Sequence, residues 1–175
     1  MRRYPKYCAI TKQLEYNLKR MGDLFPSSIR AHNIQQSLIP EIISEAIRKK
    51  EDYILSLVVD EQLYKRGITG DDIKISSYRP YVTLTKKRKL KKHQPINRVT
   101  LRDTIDFHNS FYIMKKKDGF YIVSSDEKAP YLIGSYGSAI MKLTPENKKH
   151  AIKTYLRPYI KERLLEEIKK AIKVK

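Results

Sequence analysis

Residues 81–101 read YVTLTKKRKLKKHQPINRVTL, and the fold turns on how this stretch is parsed. Tyr81–Thr85 and Arg98–Leu101 alternate apolar with polar side chains, the period of a half-buried strand. Between them lies the densest basic run of the chain, Lys86–His93, broken only by Leu90. The pattern predicts two strands with the run at a hairpin tip or on a loop off a sheet. Like charges at this density repel, so such a loop is held open and hydrated until an anion arrives. Taken alone, the run reads equally as a solvated loop or as a nuclear-import signal.

The flanking sequence extends the β reading over 75–143. SFYIM and FYIVSS surround a turn at Asp118-Gly119, a hairpin signature. LIGSYGSAIMKL, residues 132–143, reads as a further strand in which Gly134 and Gly137 mark a bulge or close approach. A mainly antiparallel sheet of about four or five strands is expected.

On either side the period changes to that of a helix. In 9–66, Leu14, Leu18 and Met21 share one face until Gly22, Pro26 and Ser27 interrupt it. Pro40 and Glu41 suit a helix start, and Ile42, Ile43, Ala46 and Ile47 give the next apolar face. Ile54, Leu55, Val58, Val59 and Leu63 continue it to a stop at Lys65-Arg66-Gly67. In 144–175, Thr144 caps a long helix with Pro145 and Glu146 in its first turn. Its stripe runs from Ile152, Tyr155 and Leu156 through Tyr159, Ile160, Leu164 and Ile168 to Ile172. Pro158 lies inside the stripe and predicts a kink or break. The expected fold is one α+β domain over 1–175: N-terminal helices, a small sheet, and a long C-terminal helix.

Charge narrows the function. Lys and Arg total 37 against 19 acids, leaving a net charge of +18. That excess opposes compaction unless a polyanion neutralises it. No apolar run is long enough to span a bilayer. The start of the chain has no apolar core of a secretory signal. Cys8 is the single cysteine, so neither an internal disulfide nor a cysteine-built zinc site is available within one chain. These features point to a reducing intracellular setting: cytoplasm, organelle matrix or virion interior. No cofactor and no membrane partner are expected.

The candidate nucleic-acid contacts are Lys86, Lys87, Arg88, Lys89, Lys91 and Lys92. Arg79, Lys115, Lys116, Lys117, Lys148, Lys149 and Lys153 support them, with a basic arm at Arg2, Arg3 and Lys6 interleaved with Tyr4 and Tyr7. Tyr78 and Tyr81 flank the run and suit either base stacking or a sheet. The function expected is non-catalytic, largely sequence-independent binding of RNA or DNA through the phosphate backbone. A structural component of a ribonucleoprotein, ribosomal-type, or of a virion or nucleoprotein assembly fits this. Backbone contacts position a protein without reading sequence.

Two other readings stand beside it. Folding the hairpin about Lys117 would gather Asp106, His108, Asp126 and Lys128 at its open end. Asp126-x-Lys128 with a second acid nearby resembles, over a short stretch, the metal-dependent PD-(D/E)xK nucleases, although no Pro-Asp precedes it. That resemblance implies carboxylates holding Mg²⁺ and a lysine helping to activate water. Alternatively, the C-terminal helix exceeds what a small sheet can cover, and its end could dock on another protein subunit.

Overall fold

The computed structural model describes residues 38–116 and 119–173, and it is mainly helical. The helical segment expected before residue 38, the basic arm and Cys8 lie outside the described residues. Helix α1 (Leu38–Lys49) buries Ile42, Ile43, Ala46 and Ile47, the face its periodicity marks. Helix α2 (Glu51–Ser56) follows at once and runs into wider, π-helical turns over Leu57–Arg66. The stop falls where expected. Gly67 takes φ 63°, and its N–H reaches back five residues to the Gln62 carbonyl. Glycine adopts this left-handed conformation without a Cβ penalty.

The β expectation is overturned over most of its length. Among the described residues there is one sheet, a two-stranded antiparallel hairpin of β1 (Phe111–Lys116) and β2 (Gly119–Ser124). Its register pairs Phe111 with Ser124, Ile113 with Ile122 and Lys116 with Gly119, so Gly119 is paired in the ladder, a shift from the register that the expected Asp118-Gly119 turn would give. Phe111, Phe120 and Ile122 lie on its inner face and join the core. An N–H on the edge of β1, that of Ile113, donates to Glu51 Oε1 at 2.6 Å, which ties the hairpin to α2.

Tyr81–Thr85 is not a strand. Val82 is extended, and helix α3 begins at Thr83 and runs to Lys91. The reason is local chemistry. Lys, Arg and Leu favour helices and lysine is depleted in strands, so the basic run itself propagates helix. Its start carries no side-chain cap, but its end is closed by the backbone. His93 sits at φ 52°, its N–H donates to the Leu90 carbonyl, and the Gln94 N–H donates to the Lys89 carbonyl. This is a Schellman termination, with Pro95 just beyond it. Residues 98–101 are irregular, and a four-residue helix α4 (Asp106–Asn109) leads into β1.

Residues 132–143 are also not a strand. Helix α5 (Ala129–Tyr136) starts with Pro130 in its first turn, and a short 3₁₀ turn covers Ser138–Met141. Gly70 explains how that turn is held. A Cβ there would overlap Lys142 Cβ, and the Gly70 N–H donates to the Ala139 carbonyl at 2.7 Å.

The C-terminal helix is present, but Pro158 does not break it. Helix α6 (Pro145–His150) is capped by Thr144 Oγ1, which accepts from the Asn147 N–H at 3.2 Å. Wide turns cover Ala151–Leu156, and α7 runs from Arg157 to Lys173. The Arg157 N–H bonds to the Ile152 carbonyl, five residues back. Pro158 therefore falls in the first turn of the resumed α-helix, where a missing N–H leaves no gap. Helix α7 packs on α1. Ile160 and Leu164 are buried, Tyr159 OH donates to Glu45 at 2.7 Å, and Arg163 pairs with the same carboxylate at 3.2 Å. The stripe thus finds cover within the chain as far as Leu164.

Beneath these elements lies a buried amide network. Gln62 has no exposed surface. Its Nε2 donates to the Lys142 carbonyl (2.8 Å), and its Oε1 accepts from the Thr144 N–H (2.8 Å) and Asn147 Nδ2 (3.0 Å). Asn147 Nδ2 also donates to the Leu57 carbonyl at 3.0 Å. The network joins the wide-turn segment Leu57–Arg66 to the start of the C-terminal helix.

Candidate nucleic-acid interface

The basic run is presented on α3 rather than at a hairpin tip, and helical geometry divides it. Leu84, Lys87, Arg88 and Lys91 stand at i, i+3, i+4 and i+7, so they share one face. All four are exposed; Lys86 is exposed too, but stands about 150° round the helix from the middle of that face. Leu84 keeps 68% of its surface in water, so nothing among the described residues covers that face.

Lys89 points the other way and is 1% exposed. Its ammonium donates to Gln94 Oε1 (2.8 Å), Thr100 Oγ1 (3.1 Å) and the Arg102 carbonyl (2.7 Å). It also stands 4.9 Å from the centroid of the Tyr81 ring. All three of its protons have acceptors, and an aromatic face adds cation–π attraction. Lys89 is therefore an anchor that holds α3 against residues 94–102, not a phosphate contact. Lys92 is partly committed as well, to Asp103 Oδ1 at 3.0 Å and the Asp103 carbonyl at 2.9 Å. That hydrogen bond, with Lys89 and Arg88 near by, holds the Asp103 carboxyl below its usual range.

Thr100 is the hub of the anchor. Its N–H donates to Tyr81 OH at 2.9 Å, and its carbonyl meets His108 Nε2 at 2.9 Å. Tyr81 is thus engaged in structure and does not offer a stacking surface, whereas Tyr78 is exposed. His108 is buried, and burial pushes its pKa down to about 4 against the opposing pull of the Thr100 carbonyl. The neutral ring is favoured in the fold, so the unfolded chain takes up its proton first as pH falls. The stability that His108 contributes is fully present above its ordinary pKa near 6.5 and is lost between there and about 4. The loss should reach about 3 kcal/mol at most. Urea titrations of wild type and His108→Gln at stepped pH should show this extra slope in wild type alone.

The other candidates are dispersed. Arg79 is exposed and donates to Tyr131 OH at 3.0 Å. Lys115 borders a groove of about 550 Å³ between α1 and the hairpin, lined also by Glu41, Glu45 and Glu51. Those carboxylates oppose a phosphate there. Lys116 ends β1, and its side chain, with all of Lys117, lies outside the described residues. Lys149 and Lys153 are exposed along the C-terminal helix, and Lys148 is half-buried.

The metal-nuclease cluster does not assemble. His108 is turned inward to Thr100, Asp126 Oδ1 caps the Lys128 N–H at 2.7 Å, and Asp106 opens α4 in solvent. Among the described residues no group of three or more His, Cys, Asp or Glu is placed to hold a metal ion. No described helix is long and apolar enough to cross a membrane.

One feature carried no sequence signal. Tyr53 of α2 and Tyr155 of the wide turns stack 5.0 Å apart and 16° from parallel. Nothing in the order of residues joins two tyrosines so distant in the chain. The chain matches no protein-family model, no curated protein and no solved structure.

Proposed function

We propose that the chain is a non-catalytic nucleic-acid-binding protein that grips the phosphate backbone, largely without sequence preference, through the outward face of α3. A structural place in a ribonucleoprotein or other nucleoprotein assembly follows from such a grip. The observation that carries this reading is the division of labour on one short helix. A buried lysine fixes the helix, and four exposed cations, Lys86, Lys87, Arg88 and Lys91, stand out from it. A helix held in place by its own charge type keeps those cations at fixed spacing before any ligand arrives, which lowers the ordering cost of binding. The net charge of +18 adds long-range attraction to any polyanion.

The test is a salt series of binding to duplex and single strands by fluorescence anisotropy. Replacing Lys86, Lys87, Arg88 and Lys91 together by alanine should make the slope of log K against log salt shallower by about three to four units on duplex DNA. The thermal midpoint should stay near that of wild type, because none of the four side chains is buried. An unchanged slope would sink the assignment of the grip to α3.

A further inference from the structure

Tyr53 keeps 52% of its surface exposed, while its neighbour Ile54 is fully buried in the core. Its ring lies on Tyr155, and His150 meets Tyr155 edge-on at 5.5 Å and 85°. Lys50 Nζ stands 5.6 Å from the Tyr53 centroid. A tyrosine needed only to staple two helices would bury its ring, because burial is where an aromatic side chain stabilises most. Tyr53 instead leaves half of its surface in water, with its ring stacked on Tyr155 and the Lys50 ammonium over it, which an incoming base would displace toward the phosphates. The surroundings are basic. Besides Lys50, Lys149 and Lys153 are exposed on the helix that carries His150 and Tyr155. Of the two carboxylates beside Tyr53 in sequence, Glu51 is taken up by the Ile113 N–H, and Asp52 is exposed.

We propose that Tyr53, backed by Tyr155 and His150, is a stacking platform for unpaired bases of a single-stranded nucleic acid, with Lys50 and Lys153 serving the adjoining phosphates. This rests on the nucleic-acid reading above and narrows it to single strands or to single-stranded segments of a larger fold. An unpaired base extends the pile of rings, and any base can do so because each has a π face. Duplex bases are already stacked on each other and gain nothing there. The platform lies on α2 and the C-terminal helix, and α3 contributes none of its side chains. The two sites therefore supply different interactions, stacking at one and phosphate contact at the other.

The experiment measures anisotropy of a labelled oligothymidylate, an oligouridylate and a matched duplex. The proteins are wild type, Tyr53→Phe, Tyr53→Leu and the four-alanine α3 variant, with thermal midpoints taken in parallel. Tyr53→Phe should bind as wild type, since it keeps the ring. Tyr53→Leu should weaken binding to both single strands by about fivefold or more, with duplex affinity and thermal midpoint unchanged. Wild-type affinity of Tyr53→Leu for single strands would overturn the platform. So would equal losses on duplex and single strands, or a loss matched by a fall in midpoint, which would make the tyrosine a staple. If the α3 variant loses affinity and Tyr53→Leu does not, the platform alone falls. If wild type binds none of the three probes, the nucleic-acid reading falls with it.

Discussion

Replacing Gln62 by leucine should lower the unfolding free energy by about 3–5 kcal/mol, seen as a drop in the urea midpoint at an unchanged slope. The side chains are similar in size, so the change is chemical rather than a cavity. Leucine leaves the Thr144 N–H, one hydrogen of Asn147 Nδ2 and the Lys142 carbonyl without their partner. Each buried polar group so orphaned costs about 1–3 kcal/mol. The site has no surface through which water could step in at once. A Gln62→Leu/Asn147→Leu double variant should cost less than the sum of the two single changes, because both amides serve the same contact. A loss below about 1 kcal/mol would mean that water replaces the network without difficulty. With a typical domain stable by only about 5–15 kcal/mol, this single amide sets much of the margin.

Lys89→Met should likewise cost about 2–4 kcal/mol, while Lys87→Met, two residues away, should change stability by less than about 0.5 kcal/mol. Methionine matches the length of the lysine stem but donates nothing. Gln94 Oε1, Thr100 Oγ1 and the Arg102 carbonyl then lose the ammonium that draws them onto α3. Binding should respond in the opposite order of directness. Lys87→Met should make the salt slope shallower by about one unit through a lost phosphate contact. Lys89→Met should leave the number of surface cations unchanged and weaken binding by letting α3 drift from its seat. Urea melts and salt series on the two variants separate these effects. Equal stability of both variants would show that Lys89 anchors nothing.

These two lysines show where sequence reading stops. In KKRKLKKH every cation looks alike, because the acceptors that single out Lys89 lie at 94, 100 and 102 and come together only in the fold. Charge alone marks all six cations as candidates and does not separate the exposed ones from Lys89. Helix α1 was legible because its apolar side chains recur at helical spacing and are buried at those positions. The hairpin is legible because a turn signal sits between two β-rich runs, but its register is not, since Gly119 pairs with Lys116 in the ladder instead of forming the turn. The rest of the expected sheet failed for two reasons. Alternation over Tyr81–Thr85 was too short to outweigh the helix-forming run behind it. The strand reading of residues 132–143 overlooks Pro130, which stands in the first turn of the helix over Ala129–Tyr136. The aromatic pile at Tyr53 was invisible because contact across the chain leaves no trace in the order of residues.

The wide turns before Pro158 have a consequence for how this chain can vary in length. They hold surplus backbone in a helix that is otherwise α-helical on both sides. Dropping one residue there would let the α-helix run straight through with its far half nearly in phase, because a wide turn takes up one extra residue locally. Tyr159 and Arg163 would keep their reach to Glu45, and Ile160 and Leu164 would stay in the core. Dropping a second residue would rotate the far half by about 100° and carry these four away together. The wide turns are therefore where this helix can lose one residue and no more.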